Sequence, residues 1–220
     1  MKKVVLWFSA ILLFSYCTKE DDSNIFKNNR LEYLPMAVGN YWIYQSVRID
    51  TNQIEIIRSG IDSVYITHDS IVEGKKYYGF ESRHKNDYGK ESQSQFCVLE
   101  GFYRDSSGFL INLKGKVIFS QNNFTDTLYR KSIEINSSSM LMMTAKMETG
   151  NTKIAVPAGS FDALNLQITA KILPQRLDGW NLKYLGKYFA KNAGVVLNSY
   201  CYVGLPDIFE LRLLRYEVKN

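Results

Sequence analysis

From residue 141 to 148 the side chains alternate, with Leu141, Met143, Ala145 and Met147 in one row and Met142, Thr144, Lys146 and Glu148 in the other. Further on, Leu164, Leu166, Ile168 and Ala170 alternate with Asn165, Gln167 and Thr169. Successive side chains of a strand point to opposite faces, so a period of two sends one row to a core and the other to water. A helix repeats every 3.6 residues and would scatter both rows around its axis. The same pattern recurs over 41–48, 62–68, 76–83, 102–113, 116–120, 127–135, 195–203 and 208–218. An abundance of Tyr, Ile, Val and Phe suits the pleated, half-buried surface of antiparallel sheets.

The joints between these runs are also legible. "VEGKK" offers Gly74 as a turn residue, and "DSSGF" offers Gly108 in the middle of 102–113. "VPAG" places Pro157 and Gly159 at the second and fourth positions of a type I turn, and "YVGLPD" interrupts the chain before the last run. One stretch competes as helix, because Leu177, Tyr184, Leu185 and Tyr188 partly share a helical face. Gly179 and Gly186 oppose it, each costing about 1 kcal/mol relative to Ala. The expectation is a mainly β chain: a single antiparallel, strongly curved sheet or open half-barrel, with little helix beyond the first residues. Turn signals recur evenly, so residues 31–220 read as one domain.

The first residues follow another rule. Met1-Lys2-Lys3 leads into thirteen uncharged residues, Val4 to Tyr16. That is short of the ~20 needed to span a bilayer and has the charged-then-apolar layout of an export signal. It closes on Phe14-Ser15-Tyr16-Cys17, which resembles the lipobox of bacterial lipoproteins, with Tyr16 standing where that pattern has a small residue. The resemblance implies that residues 1–16 are removed and that the Cys17 thiol and new N-terminus are acylated. Each buried methylene contributes about 0.8 kcal/mol, and stable anchoring takes more than one chain. The expected membrane partner is therefore reached through acyl groups on Cys17. Residues 17–30 read as a polar tether, whose Lys19, Glu20, Asp21 and Asp22 resemble the surface-export signal of some diderm envelopes. The implied location is the outer membrane, with surface and periplasmic faces both open.

Cleavage leaves 204 of the 220 residues, and losing Lys2 and Lys3 from 27 basic residues against 22 acidic ones leaves a charge of +3. The basic residues are scattered, with no Lys/Arg run interleaved with stacking aromatics, so nucleic acid is not an expected partner. Cys97 and Cys201 lie in strand-like runs and could pair in an oxidising compartment or remain buried thiols. No Cys/His spacing suggests a metal site, and no cofactor is implied.

Three phrases together resemble the TapB-like domains, a class of bacterial envelope lipoproteins: "YLPMAVGNYWIYQ", "IAVPAGSFDALNLQI" and "KYFAKNAGVVLNSY". The resemblance implies an antiparallel β-domain akin to periplasmic lipoprotein carriers and transfers no activity. Within the first phrase, Gly39-Asn40 reads as the turn that launches a strand, with Trp42 and Tyr44 on one face and Tyr41 and Ile43 on the other. Trp42 and Phe161 are expected as core anchors.

Catalytic signatures are sparse, and no catalytic residue is assigned. His68 and His84 are the imidazoles, and neither belongs to His-Glu-x-x-His. Ser160 in "PAGSFD" lacks the spacing of a nucleophile elbow and reads as a turn serine. No Asp or Glu stands out. His84 beside an acid and a hydroxyl would be the arrangement that argues for an enzyme. Asp-Ser/Thr-aliphatic triplets at Ser63, Ser70 and Thr127 resemble O-glycosylation acceptors of some diderm envelopes. The functional expectation is a non-enzymatic binding or carrier domain for a small apolar molecule, lipid or glycan. An accessory protein docking to another envelope protein through a strand edge, and a hydrolase with an unrecognised site, are the alternatives.

Overall fold

Where the sequence alternates, the chain runs extended. The computed structural model describes residues 30–86, 90–93, 98–135, 138–172, 182–202 and 204–219, and none of these is helical. The first strands are β1 (Tyr41–Ile49), β2 (Glu55–Val72), β3 (Lys75–Lys85), the short β4 (Glu91–Gln93), β5 (Gly101–Ser106), β6 (Phe109–Asn112) and β7 (Val117–Ser120). The second half contributes β8 (Thr127–Ile135), β9 (Ser138–Val156), β10 (Gly159–Ile172), β11 (Leu182–Ala190), β12 (Gly194–Tyr200) and β13 (Ile208–Glu217). They form one antiparallel sheet in the order β7-β6-β5-β3-β2-β1-β13-β12-β11-β10-β9-β8, with β4 paired to β3 off this path.

The mainly β, strongly curved expectation therefore holds, and the curvature comes close to closing a barrel. Phe119 on β7 stacks on Phe189 on β11 at 4.0 Å although seven strands lie between them along the sheet. Only a sheet rolled onto itself brings those rings together. No ladder joins β7 to β8, so the barrel stays open at that seam among the described residues. Arg130 and Lys131 lie exposed along β8, and such charges discourage pairing at an open edge.

The turns match their residues. Glu73 and Gly74 (φ 50° and 71°) join β2 to β3, and Ser107 and Gly108 (φ 53° and 84°) join β5 to β6. Two successive positive φ values give the turn whose twist suits a tight hairpin. The 102–113 run accordingly divides at Ser107-Gly108, and "VPAG" links β9 to β10 with Val156 opposite Gly159. Two stretches depart from the reading above. The segment that competed as helix is strand β11 from Leu182 onward, and Leu177 and Gly179 lie outside the described residues. The 195–203 run ends as a strand at Tyr200.

Because every hairpin reverses the chain, the barrel has two distinct ends. At one end lie the 73–74, 107–108, 157–158 and 191–193 turns, the start of β1 and the finish of β13. Residues 30–40 lie across this end. Leu31, Leu34 and Met36 are buried, and the backbone is bonded at Leu31 N to Asp105 Oδ2 (2.9 Å), at Glu32 N to Gln121 Oε1 (2.9 Å) and at Glu32 O to Asn192 N (2.8 Å). Asn40, fully buried, donates Nδ2 to Pro35 O (3.1 Å) and Lys219 O (3.2 Å) and accepts from Lys219 N (2.8 Å). The tip of the β9–β10 hairpin bends over the same end, where Ala158 N reaches Leu213 O at 3.0 Å. At the opposite end lie the 50–54 and 113–116 turns and the 201–207 segment.

Candidate functional site

The interior differs sharply between these ends. Toward the N-terminal segment it is filled: Trp42, Tyr44, Leu110, Phe119, Leu166, Phe189 and Leu213 are each at most 1% exposed. Trp42 Nε1 donates to Ala193 O at 2.6 Å and the Tyr44 hydroxyl to Val195 O at 2.8 Å, so both polar tips are satisfied inside the core. Burial pushes the Tyr44 hydroxyl well above its usual pKa. Gly194 (φ +92°) is required here, because a Cβ would sit 2.8 Å from Trp42 Nε1 and 3.3 Å from Leu34 Cδ1. These rings pack directly against one another, with Trp42 and Phe80 stacked at 6.3 Å and Phe119 and Phe189 at 4.0 Å.

Toward the other end the inward row turns polar and the packing opens. A cavity of about 470 Å³ lies between the β1–β2 hairpin and the segment leading into β13. One wall is aromatic. Tyr200 stacks on Phe209 at 5.4 Å, and Tyr202 meets Phe209 edge-on at 5.1 Å. Ile56 and Leu205, each 44% exposed, form apolar lips. Arg48 and Arg58 bring positive charge, and Asp207 brings one carboxylate.

Several bonds hold this mouth in shape. Asp207 is 4% exposed, and its Oδ2 accepts from Arg48 Nε and Nη2, both at 2.8 Å. Lys183 on β11 points inward and is itself buried, and its ammonium donates to Leu205 O (2.5 Å) and Asp207 O (3.2 Å). A buried ammonium needs such partners, and here they fix the backbone of the 205–207 segment. On the outer face, Arg212 grips Glu55 through Nη1 (2.7 Å) and Nη2 (2.6 Å) and Glu210 through Nε (2.7 Å), tying the start of β2 to β13. The Glu55 carboxyl is lowered by the bond from Arg212. The Tyr200 hydroxyl is raised chiefly by burial, partly offset by a bond with Ser46 and by the nearby Arg58.

Deeper in the same polar half, His84 on β3 lies across from Asp62 on β2, with Nδ1 3.1 Å from Asp62 Oδ2. The Asp62 side chain is 7% exposed and the imidazole 32%, so the pair faces the mouth from just inside it. Ser82, two residues before His84, and Ser46 on β1 are buried. This is the acid that would orient a histidine base. Among the described residues the His84 imidazole bonds to Asp62 and to no hydroxyl. The constellation is therefore half of a nucleophilic site, and sequence reasoning did not pair Asp62 with His84, since their meeting depends on the β2–β3 register.

A second hollow of about 420 Å³ lies on the outer face, beside Phe124, Lys146 and Glu148. There the Glu148 carboxylate already accepts from Asn165 Nδ2 (2.6 Å) and Gln167 Nε2 (2.5 Å). The carboxylate is thus engaged by two amides, while the buried Asn165 Oδ1 has no hydrogen-bond partner among the described residues. Among the described residues, no group of three or more His, Cys, Asp or Glu side chains is placed to hold a metal.

Cys17, Lys19, Glu20, Asp21, Asp22 and Cys97 lie outside the described residues. Cys201 is a buried free thiol at the mouth, raised by burial and lowered to a lesser degree by Lys183. Of the glycosylation candidates, Ser63 points outward and donates to Arg83 O at 3.3 Å, Ser70 is half-buried, and Thr127 is exposed. Asp62, the acid of the first triplet, points inward to His84. His68 lies exposed at the edge of Phe102 (5.2 Å), with its ring over Gly79. Trp42 anchors the core, whereas Phe161 is half-buried and packs against Tyr216 at 6.2 Å. Lys183, Arg58 and Asp207 were missed, because each sits in a run that reads as an ordinary polar edge.

No family model matches the chain, and no curated protein matches it. Among solved structures it is similar to a "putative exported protein with YmcC-like fold" from Bacteroides fragilis. The TM-score is 0.52 at 11% identity, covering 85% of this chain and 99% of that one. It also aligns with a "putative lipoprotein" from Parabacteroides distasonis, with a TM-score of 0.48 at 13% identity and the same coverage of 85% and 99%. At 11% identity the similarity to the Bacteroides fragilis protein is one of fold, and neither neighbour is described as TapB-like.

Proposed function

We propose that the protein is a lipid-anchored envelope protein of the kind the TapB-like phrases suggest, which holds a small molecule in the mouth of its barrel. One observation carries this reading: a single sheet encloses a packed apolar interior at one end and a cavity of about 470 Å³ with aromatic, apolar and charged walls at the other. Cavities of roughly 300–1,000 Å³ in barrel mouths are common ligand sites. The tether reaches the folded part at the packed end, so acyl chains on Cys17 would leave the mouth facing away from the bilayer. The fourteen residues from Cys17 to Arg30 would span at most about 50 Å if fully extended. The fully buried side chains at the packed end support a ligand lying across the mouth over one swallowed by the barrel.

Native mass spectrometry of the protein taken from its own membrane tests the reading. The expected spectrum shows a bound small molecule that is lost when Tyr202→Ala removes part of the aromatic wall. Retention of the same molecule by that variant would place binding elsewhere. Palmitate labelling that disappears with Cys17→Ala is expected for the anchor.

A second reading is favoured by the Asp62–His84 pair, which would serve a hydrolase as orienting acid and base. It requires a nucleophile, or a water, brought to His84 by substrate. Turnover of a model ester abolished by His84→Gln would support the hydrolase over the binding protein.

A further inference from the structure

Charge at the mouth is unbalanced in a particular way. Two guanidinium groups and one carboxylate line the cavity. Arg48 directs both Nε and Nη2 to Asp207 Oδ2, which neutralises that carboxylate. Arg58 makes no ion pair among the described residues, and it shares the cavity with the lips Ile56 and Leu205 and the rings Tyr202 and Phe209. An arginine stays charged at any physiological pH, and its planar fork matches two oxygens of a carboxylate or phosphate. Beside it, 44% exposed Ile56 and Leu205 and the edge-on Tyr202–Phe209 pair present an apolar surface to solvent. The shape is fixed before anything binds, since Lys183 holds the 205–207 backbone and Arg212 holds Glu55 beside the tip of the hairpin. A preformed wall loses little freedom on binding.

Resting on the binding-mouth reading, we infer that the ligand carries an oxyanion, a carboxylate or a phosphate, joined to a flat or apolar body, with Arg58 taking the anion and Tyr202 and Phe209 taking the body. Neutral sugars and plain hydrocarbons would leave the guanidinium without a partner. A free amphipathic acid and a phosphorylated headgroup both offer the required pairing, and the experiment separates them.

The full chain in phosphatidylcholine nanodiscs is titrated calorimetrically, with empty nanodiscs as blank, against three probes sharing one ring system: 2-naphthoate, 2-naphthyl phosphate and neutral 2-naphthamide. Hydrogen bonds to a charged group should favour the anions over the amide by about ten-fold or more. Arg58→Gln should bring the anions down to the level of the amide and leave the amide unchanged. Tyr202→Ala should weaken all three alike, with circular dichroism confirming that both variants fold. Stronger binding of the carboxylate marks a free acid as the natural class, and stronger binding of the phosphate marks a headgroup. Equal affinity for all three probes, indifferent to Arg58→Gln but reduced by Tyr202→Ala, would overturn the anion assignment and leave the binding mouth standing. Absence of binding by every probe at millimolar concentration would overturn both.

Discussion

The two ends of this barrel are built from the same strands and do opposite things. At the closed end, Trp42, Phe119, Phe189 and Leu34 exclude water, and their few polar atoms are bonded inside. At the mouth, the next inward residues along the same strands are Ser46 and Arg48 on β1 and Asp62 and Arg58 on β2. A strand offers its inner face every second residue, so the switch from apolar to charged needs no change of fold, only of side chain. Stability is concentrated where burial is complete, and binding capacity where charge and exposed rings remain. Separating the two lets the mouth vary without unfolding the body.

Paired substitutions should expose this division. Trp42→Ala removes a fully buried indole and its bond to Ala193 O and should cost about 3–5 kcal/mol in urea denaturation. Tyr202→Ala, on the half-buried wall of the mouth, should cost about 1 kcal/mol. Equal losses would break the comparison. Glycine offers a second pair: Gly194→Ala must accept both a left-handed backbone and contact with Trp42, and should cost about 2–4 kcal/mol. Gly204→Ala, with open space around it, should stay within about 0.5 kcal/mol by the same measurement.

Asp207→Asn should move stability and binding in opposite directions. Losing the bond to half-exposed Arg48 should lower stability by about 1–2 kcal/mol. The freed second guanidinium should tighten 2-naphthoate several-fold, read by calorimetry. The smallest effect is chemical. Burial raises the Cys201 thiol, so its alkylation by iodoacetamide at pH 8, followed by peptide mass spectrometry, should be slower in the folded protein than in urea. Equal rates would mean that the mouth is far looser than its bonds imply.

Much of the sheet could be read from the letters because burial follows parity. Leu141, Ala145 and Met147 are buried while Met142 and Lys146 are exposed, as alternation required. Strand β11 hid its nature because its inward row is Lys183, Leu185, Lys187 and Phe189. Two of those side chains extend through the interior to carbonyls, Lys187 to Val98 O and Lys183 to Leu205 O and Asp207 O, so polarity no longer marks the outside. The start of β2 was obscured similarly, since Ile56 and Ile57, and Ile54 in the turn before them, are all exposed near the lip. The mouth itself was out of reach of local patterns. Arg48 and Asp207 are 159 residues apart, and Asp62 meets His84 only through the β2–β3 register. Cross-strand pairing, which no single run encodes, assembled both.

Hydrogen–deuterium exchange on the intact protein, with and without saturating 2-naphthoate, addresses the division between the ends most directly. Slow exchange at residues 31–36 and 193–197 irrespective of probe, with new protection confined to residues 54–58 and 201–209, is the expected result. Probe-dependent protection at the packed end, or its absence at the mouth under saturation, would contradict the account.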